Sequence, residues 1–182
     1  TATQNVIVDD VTAPTAPTIA DATGECSVTV TAPTATDNCA GSVTGTTTDP
    51  TTYNAQGSYT ITWTFDDGNG NTSTATQNVI VDDVTAPTAP TIADATGECS
   101  VTVTAPTATD NCAGSVTGTT TDPTTYNAQG SYTITWTFDD GNGNTSTATQ
   151  NVIVDDVTAP TAPTIADATG ECSVTVTAPT AT

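Results

Sequence analysis

The chain has 182 residues with twenty carboxylates and no lysine, arginine or histidine, giving a formal charge of −20. That balance excludes every side-chain ion pair, and with nothing to neutralise phosphates it makes nucleic acid and anionic membranes unexpected partners. It also removes His and Lys as general bases and any Cys/His or Ser/His pair, so no enzyme is expected.

Residues 1–10 recur from Thr74 and again from Thr147, and every comparable residue is identical, so the period is 73 residues. This is longer than solenoid periods and matches a small self-contained domain. The frame reads as residues 1–9, the last strand of a preceding repeat; 10–82 and 83–155, two identical repeats; and 156–182, the start of a third. A unit this small buries only roughly 60% of its unfolded surface, which calls for staples: disulfides, metals or a neighbouring repeat.

After the first strand comes the segment 11–17, with Pro14 and Pro17 three apart. Proline fixes φ and restricts the residue before it. The segment reads either as a stiff connector or as an edge strand whose prolines discourage unwanted pairing. Strands are then expected at 18–20, 27–31 and 42–48, with an edge piece at 51–53. The clearest period-2 alternation follows at 59–65, where Tyr59, Ile61, Trp63 and Phe65 face one way and threonines the other. A last strand is expected at 72–81. No stretch has helical periodicity. Short strands between Pro, Gly, Asn and Asp turns predict an all-β fold of tandem immunoglobulin-like β-sandwich domains in an elongated array. Its core would hold Ile19, Val28, Val30, Val43, Ile61, Trp63, Phe65, Val79 and Val81.

Of the five cysteines, Cys26 and Cys39 belong to one repeat, Cys99 and Cys112 to the next, and Cys172 is left over, its partner expected beyond Thr182. Paired cysteines in small β units point to an oxidising, extracellular compartment. No Cys-x-x-Cys spacing suggests zinc. A bridge within each repeat, Cys26 with Cys39 and Cys99 with Cys112, is expected to contribute about 3 kcal/mol. The strand order also allows Cys26 to meet Cys112 across the repeat boundary. No apolar run long enough to cross a membrane is present, so no membrane insertion is expected in this segment.

Without side-chain cations, each carboxylate must be solvated, hydrogen-bonded or neutralised by an ion from solution. The turn of 66–71, rich in Asp, Gly and Asn, is expected at the pole facing the preceding repeat. Asp9 and Asp10 arrive there, as does the loop with Asp37 and Asn38. Ca²⁺ takes six to eight oxygen ligands from such groups. Candidate ligands are therefore Asp9, Asp10, Asp37, Asn38, Asp66, Asp67 and Asn69 at one junction, and Asp82, Asp83, Asp110, Asn111, Asp139, Asp140 and Asn142 at the next. Asp67, Asn69 and Asn71 have one-three-five spacing, but Thr72 stands in place of the EF-hand glycine and no glutamate follows. The turn also reads simply as a Gly/Asn hairpin needing positive φ. The only conceivable catalytic dyad is a pair of carboxylates, and adjacent Asp66 and Asp67 would point to opposite faces of a strand.

The runs Gly24-Glu25-Cys26-Ser27-Val28-Thr29-Val30, Ala32 to Cys39, Asp67 to Thr72 and Val79 to Asp82 resemble hyalin-repeat (HYR) domains over most of each repeat. The resemblance implies an immunoglobulin-like fold and an extracellular adhesion protein, including the long surface adhesins of the Bacteroidota, some linked to gliding motility and type IX secretion. Such domains often carry further cysteines; Ala75 and the Gly45 region stand where one pair would be.

Identical units suit a spacer, which needs only length and stiffness. The leading expectation is a structural extender, the stalk or fibre shaft of a surface adhesin, stiffened by disulfides and junctional calcium. Its partners would be neighbouring repeats of the same chain. The alternative is a low-affinity module binding surface glycans or other copies in a fibre through Thr-rich faces or Tyr53 and Tyr126, acting by avidity. Asn71-Thr72-Ser73 and Asn144-Thr145-Ser146 match the N-glycosylation acceptor pattern.

Overall fold

The computed structural model describes residues 1–182 and is all-β, with no helix. Within the first period lie β1 (Ala22–Gly24), β2 (Val28–Thr29), β3 (Thr34–Asp37), β4 (Gly41–Thr44), β5 (Thr52–Tyr53), β6 (Gly57–Asp66) and β7 (Thr72–Val81). One period later lie β8 (Ala95–Gly97), β9 (Val101–Thr102), β10 (Thr107–Asp110), β11 (Gly114–Thr117), β12 (Thr125–Tyr126), β13 (Gly130–Asp139) and β14 (Thr145–Val154). The chain divides into two compact units that do not follow the sequence period. The first comprises Thr1–Pro90, Thr107–Gly118 and Thr137–Ser146; the second comprises Thr91–Pro106, Thr119–Trp136 and Thr147–Thr182.

The first unit is organised by the β6–β7 hairpin, paired in register from Gly57 opposite Val81 to Asp66 opposite Thr72. Alternation places Ile61, Trp63 and Phe65 of β6 and Val79 and Val81 of β7 on one face, where each is at most 1% exposed. Full burial of such side chains stabilises by about 1.5–3 kcal/mol each. The Trp63 indole N–H is satisfied by Gln77 Oε1 at 3.1 Å, so the buried ring carries no unpaired donor. The hairpin turn needs Gly68 and Gly70, whose φ values of 81° and 101° lie where a side chain would be strained.

β7 is flanked on its other side by β1, in parallel, with Ala22 opposite Val79 and Gly24 opposite Val81. Two smaller antiparallel pairs complete the first period. β2 pairs with β5, Val28 opposite Tyr53, and β3 pairs with β4, Ala35 opposite Val43. Their apolar members join the hairpin face in one cluster with Val30, and Ala16, Ile19, Ala22, Tyr59 and Ala75 pack at its margin. In the second unit β9 pairs with β12 and β8 with β14, burying Val101, Val103, Tyr126, Ile134, Trp136, Val152 and Val154.

Several boundaries differ from expectation, each for a local reason. No strand forms at 18–20. There the Gln77 amide donates to the Ala20 carbonyl at 3.2 Å and Asn78 to Asp21 Oδ1 at 3.0 Å, so side chains stand where a backbone ladder was expected, and pairing starts at Ala22. Ile19 accordingly lies at the edge of the core. The stretch 42–48 breaks after Thr44 and rejoins only as a single bridge between Thr46 and Thr64. Gly45 sits at that break, and a Cβ there would come within 2.8 Å of the Phe65 ring. β3, read as loop, is a strand because Ala35, 2% exposed, fills the core opposite Val43. Residues 1–9 share the sequence of Thr74–Asp82, most of β7, but form no strand; Val6, Ile7 and Val8 are exposed.

Candidate metal centre

The two acidic clusters and the disulfide described below belong to the first compact unit. The hairpin turn after β13 is built on Asp140. Its Oδ1 accepts from the backbone N–H of Asn142 at 2.7 Å and of Asn144 at 3.1 Å, while Oδ2 accepts from the Asn144 amide at 2.8 Å. That amide also donates to the Asp83 backbone carbonyl at 2.8 Å, and Asn142 donates to Asp83 Oδ2 at 3.0 Å. Asp83 Oδ1 accepts from Thr85 N–H, and Asp83 N–H donates to Gln56 Oε1 at 2.8 Å. Through these bonds the turn of the second repeat is tied to that repeat's first residue, and Asp83 in turn to Gln56 of the first repeat.

Asp83 is 4% exposed, the one buried charged residue of the chain. Its carboxylate lies with those of Asp110 and Asp140, their ligand atoms within 4.8 Å of one another. Asp110 is aimed there by the β10–β11 turn, where its Oδ1 accepts from Cys112 and Ala113 N–H, both at 2.8 Å. Its Oδ2 is buried with no hydrogen-bond partner. A solvent-shielded carboxylate oxygen without a donor is costly, and no side-chain cation exists in the chain to offset it.

The same constellation occurs one period earlier, with Asp10, Asp37 and Asp67 grouped and Asp37 Oδ2 again buried and unpaired. There Asn69 and Asn71 donate to Asp10 Oδ2 and its backbone carbonyl, at 3.3 and 3.0 Å. The Asn71 amide and the N–H groups of Asn69, Asn71 and Gly70 hold the Asp67 carboxyl below the usual range against the effect of desolvation. For Asp140, burial pushes the carboxyl up, but the corresponding donors, led by the Asn144 amide, outweigh it and the net shift is downward.

Of the expected ligands, Asp10, Asp37 and Asp67, and Asp83, Asp110 and Asp140, come together. Asp9, Asp66, Asp82 and Asp139 are exposed and stand outside both groups; Asp66 and Asp139 cap the turn glycines Gly68 and Gly141 instead. Asn38 contacts its neighbour Cys39, and Asn111 donates to Glu25 Oε2. Asn69 and Asn142 reach the sites as amide donors. Sequence reasoning passed over Glu25 and Gln56; Glu25 also accepts from the Thr85 hydroxyl at 2.8 Å. Its place beside Cys26 was the signal that could have found it.

The disulfide joins Cys26 to Cys112, with 5.0 Å between their Cα atoms. The bridge within a repeat, Cys26 to Cys39 or Cys99 to Cys112, is therefore replaced by the one across the boundary, and Cys39, Cys99 and Cys172 are free and exposed. The reason is geometric. β2 and β3 run between Cys26 and Cys39, carrying them to different places, while the β10–β11 turn presents Cys112 beside Glu25. With its sulfur oxidised, Cys112 offers no thiolate, so the Glu25, Asp83 and Cys112 grouping is no site for a soft metal.

Tyr53 and Tyr126, weighed above as glycan contacts, are 9% exposed, each stacked or tilted against Tyr59 or Tyr132 with ring centroids 4.5 Å apart. Little of either ring is left for a ligand.

No known family profile matches the sequence, and no curated protein matches it. Among solved structures the chain is similar to the endo-fucoidan hydrolase MfFcnA4 from glycoside hydrolase family 107, at 15% identity and a TM-score of 0.21, over 77% of this chain and 28% of that one. A variant of that enzyme gives 15% identity and a TM-score of 0.22, over 81% and 28%. The chain thus spans little more than a quarter of the length of these neighbours.

Proposed function

We propose that this chain is part of a structural extender, the stalk or fibre shaft of an extracellular surface adhesin, built from HYR-like repeats of immunoglobulin-like β-sandwich form. The observation that carries the reading is the clasp at the repeat boundary. A disulfide from Cys26 to Cys112, the Glu25–Asn111 contact, and hydrogen bonds from Asp83 N–H to Gln56 and from Thr85 to Glu25 all fasten the second repeat to the first. A spacer needs such fastening, because free hinges would let it fold back on itself. A disulfide of this kind persists in oxidising, extracellular surroundings.

Calcium is the ion proposed for the Asp83, Asp110 and Asp140 site and for its counterpart at Asp10, Asp37 and Asp67. Every donor is a hard oxygen, and the orphaned Oδ2 atoms of Asp110 and Asp37 are the groups a hard cation would satisfy. These residues fit an ion that neutralises three carboxylates and joins segments distant in sequence. The role is mechanical, and no catalytic activity is proposed.

Small-angle X-ray scattering of the full chain in millimolar Ca²⁺ and in EDTA tests the reading. A stiffened extender gives a longer, better-defined maximum dimension with calcium. An unchanged profile together with saturable binding to surface glycans would favour an adhesive module instead.

A further inference from the structure

We infer that the Cys26–Cys112 bridge is a tension bypass, which carries a pulling force past the core of the first repeat. The bridge spans 86 positions. Within the closed loop lie β2 through β10, and with them all ten buried residues of the first core, from Val28 to Val81. A force applied at the two ends travels along the backbone to Cys26, crosses the sulfurs to Cys112 and leaves along the rest of the chain. Nothing inside the loop lies on that covalent path, so Ile61, Trp63 and Phe65 of β6 carry no load while the bond is intact. Of the first period's strands only β1 precedes Cys26 and remains on the path, held to β7 by three residues in parallel register.

The position of Cys99 extends the device. A further bridge starting there, of the same span, would overlap the first loop by the residues from Cys99 to Cys112, the spacing that also separates Cys26 from Cys39. In such an array the covalent path through each 73-residue period would be that short segment alone. This inference goes beyond the extender reading, because it follows from connectivity and holds whatever the chain is attached to and whether or not calcium is bound.

The test is single-molecule force spectroscopy of the full chain, held at Thr1 and Thr182, before and after phosphine reduction, with the bridge confirmed by peptide mapping. Full extension of the oxidised chain should fall short of the reduced chain by about 300 Å, the contour of the loop at roughly 3.5 Å per residue. Ile61→Ala, in the shielded core on β6, should lower the unfolding force of the reduced chain and leave the oxidised trace unchanged. Val152→Ala, in β14 outside the loop, should lower it in both states. A shortfall of about 45 Å for each bridge, about 90 Å with both Cys26–Cys39 and Cys99–Cys112 closed, would mean the loops close within repeats instead and would overturn the proposal. So would an Ile61→Ala effect in the oxidised chain.

Discussion

Asn144 and Asp83 are 61 positions apart, yet the Asn144 amide donates to the Asp83 backbone carbonyl at 2.8 Å, as Asn71 does to the Asp10 carbonyl one period earlier at 3.0 Å. The same amide holds Asp140 Oδ2, so one side chain shapes the turn and docks it. Asn144→Ala removes both bonds and leaves a part-buried carbonyl and carboxylate oxygen short of a donor. The expected cost is about 1–3 kcal/mol, read by urea denaturation, with Asn71→Ala costing less because Asp10 is more exposed than Asp83.

The disulfide should dominate the stability of the first unit. Closing a loop of 86 positions contributes about 4–5 kcal/mol in the chain-entropy account, against about 3 for the shorter loop to Cys39. Cys26→Ser or Cys112→Ser should therefore lower the denaturation midpoint as much as reduction does, whereas Cys39→Ser should leave it unchanged. Digestion on the N-terminal side of aspartate without reduction separates all the cysteines, because Asp37 and Asp110 lie between them, and would recover the Cys26 and Cys112 peptides joined.

Truncation in the core separates packing from surface effects. Ile61→Ala, at a fully buried position, should cost about 2–5 kcal/mol. Val84→Ala, at a site 65% exposed, should stay within about 0.5 kcal/mol. Equilibrium unfolding followed by Trp63 and Trp136 fluorescence would measure both.

Stability should fall at both extremes of pH. Burial, with Asp49 and Tyr59 adding to it, raises the Tyr53 phenol above its ordinary value, and Tyr126 behaves alike. An acid whose folded pKa is raised contributes stability below its unfolded value, near 10, and loses it as pH rises through the folded one. Tyr53→Phe with Tyr126→Phe should extend the alkaline limit. Asp67 and Asp140 are lowered, so their contribution is present above about 3.9 and is lost as pH falls through their folded values. Thermal melts between pH 2 and 11 follow both limbs.

Much of this was legible in the sequence, and what was not has particular causes. The alternation from Tyr59 to Phe65 and the long polar-faced run of β7 specify their hairpin, because half-buried strands announce themselves by period. β3 escaped, since Thr34–Asp37 has only one small apolar residue, Ala35, and its burial depends on Val43 across the pair. The two acidic clusters followed from composition and turn spacing, yet which aspartates enter them did not. Neighbours such as Asp82 and Asp83 differ only in the face they present, which pairing decides. The bridge was open between two partners for the same reason: spacing along the chain ranks loop entropies, while only the fold brings Cys112 beside Cys26.

The Asp83 and Asp10 clusters are proposed to hold calcium, and at Asp83, which is bonded to Gln56 of the first repeat, the ion would stiffen the repeat boundary. Calorimetric melting of the full, oxidised chain in EDTA, in millimolar Mg²⁺ and in millimolar Ca²⁺ tests it most directly, alongside the double variant Asp10→Asn, Asp83→Asn. Binding at a hundredfold excess over Kd stabilises by about 2.7 kcal/mol per site, so the wild-type Tm should rise by several degrees with calcium, less with magnesium, and not at all in the variant. A wild-type Tm that calcium leaves unchanged, or an equal rise in the variant, would contradict the account.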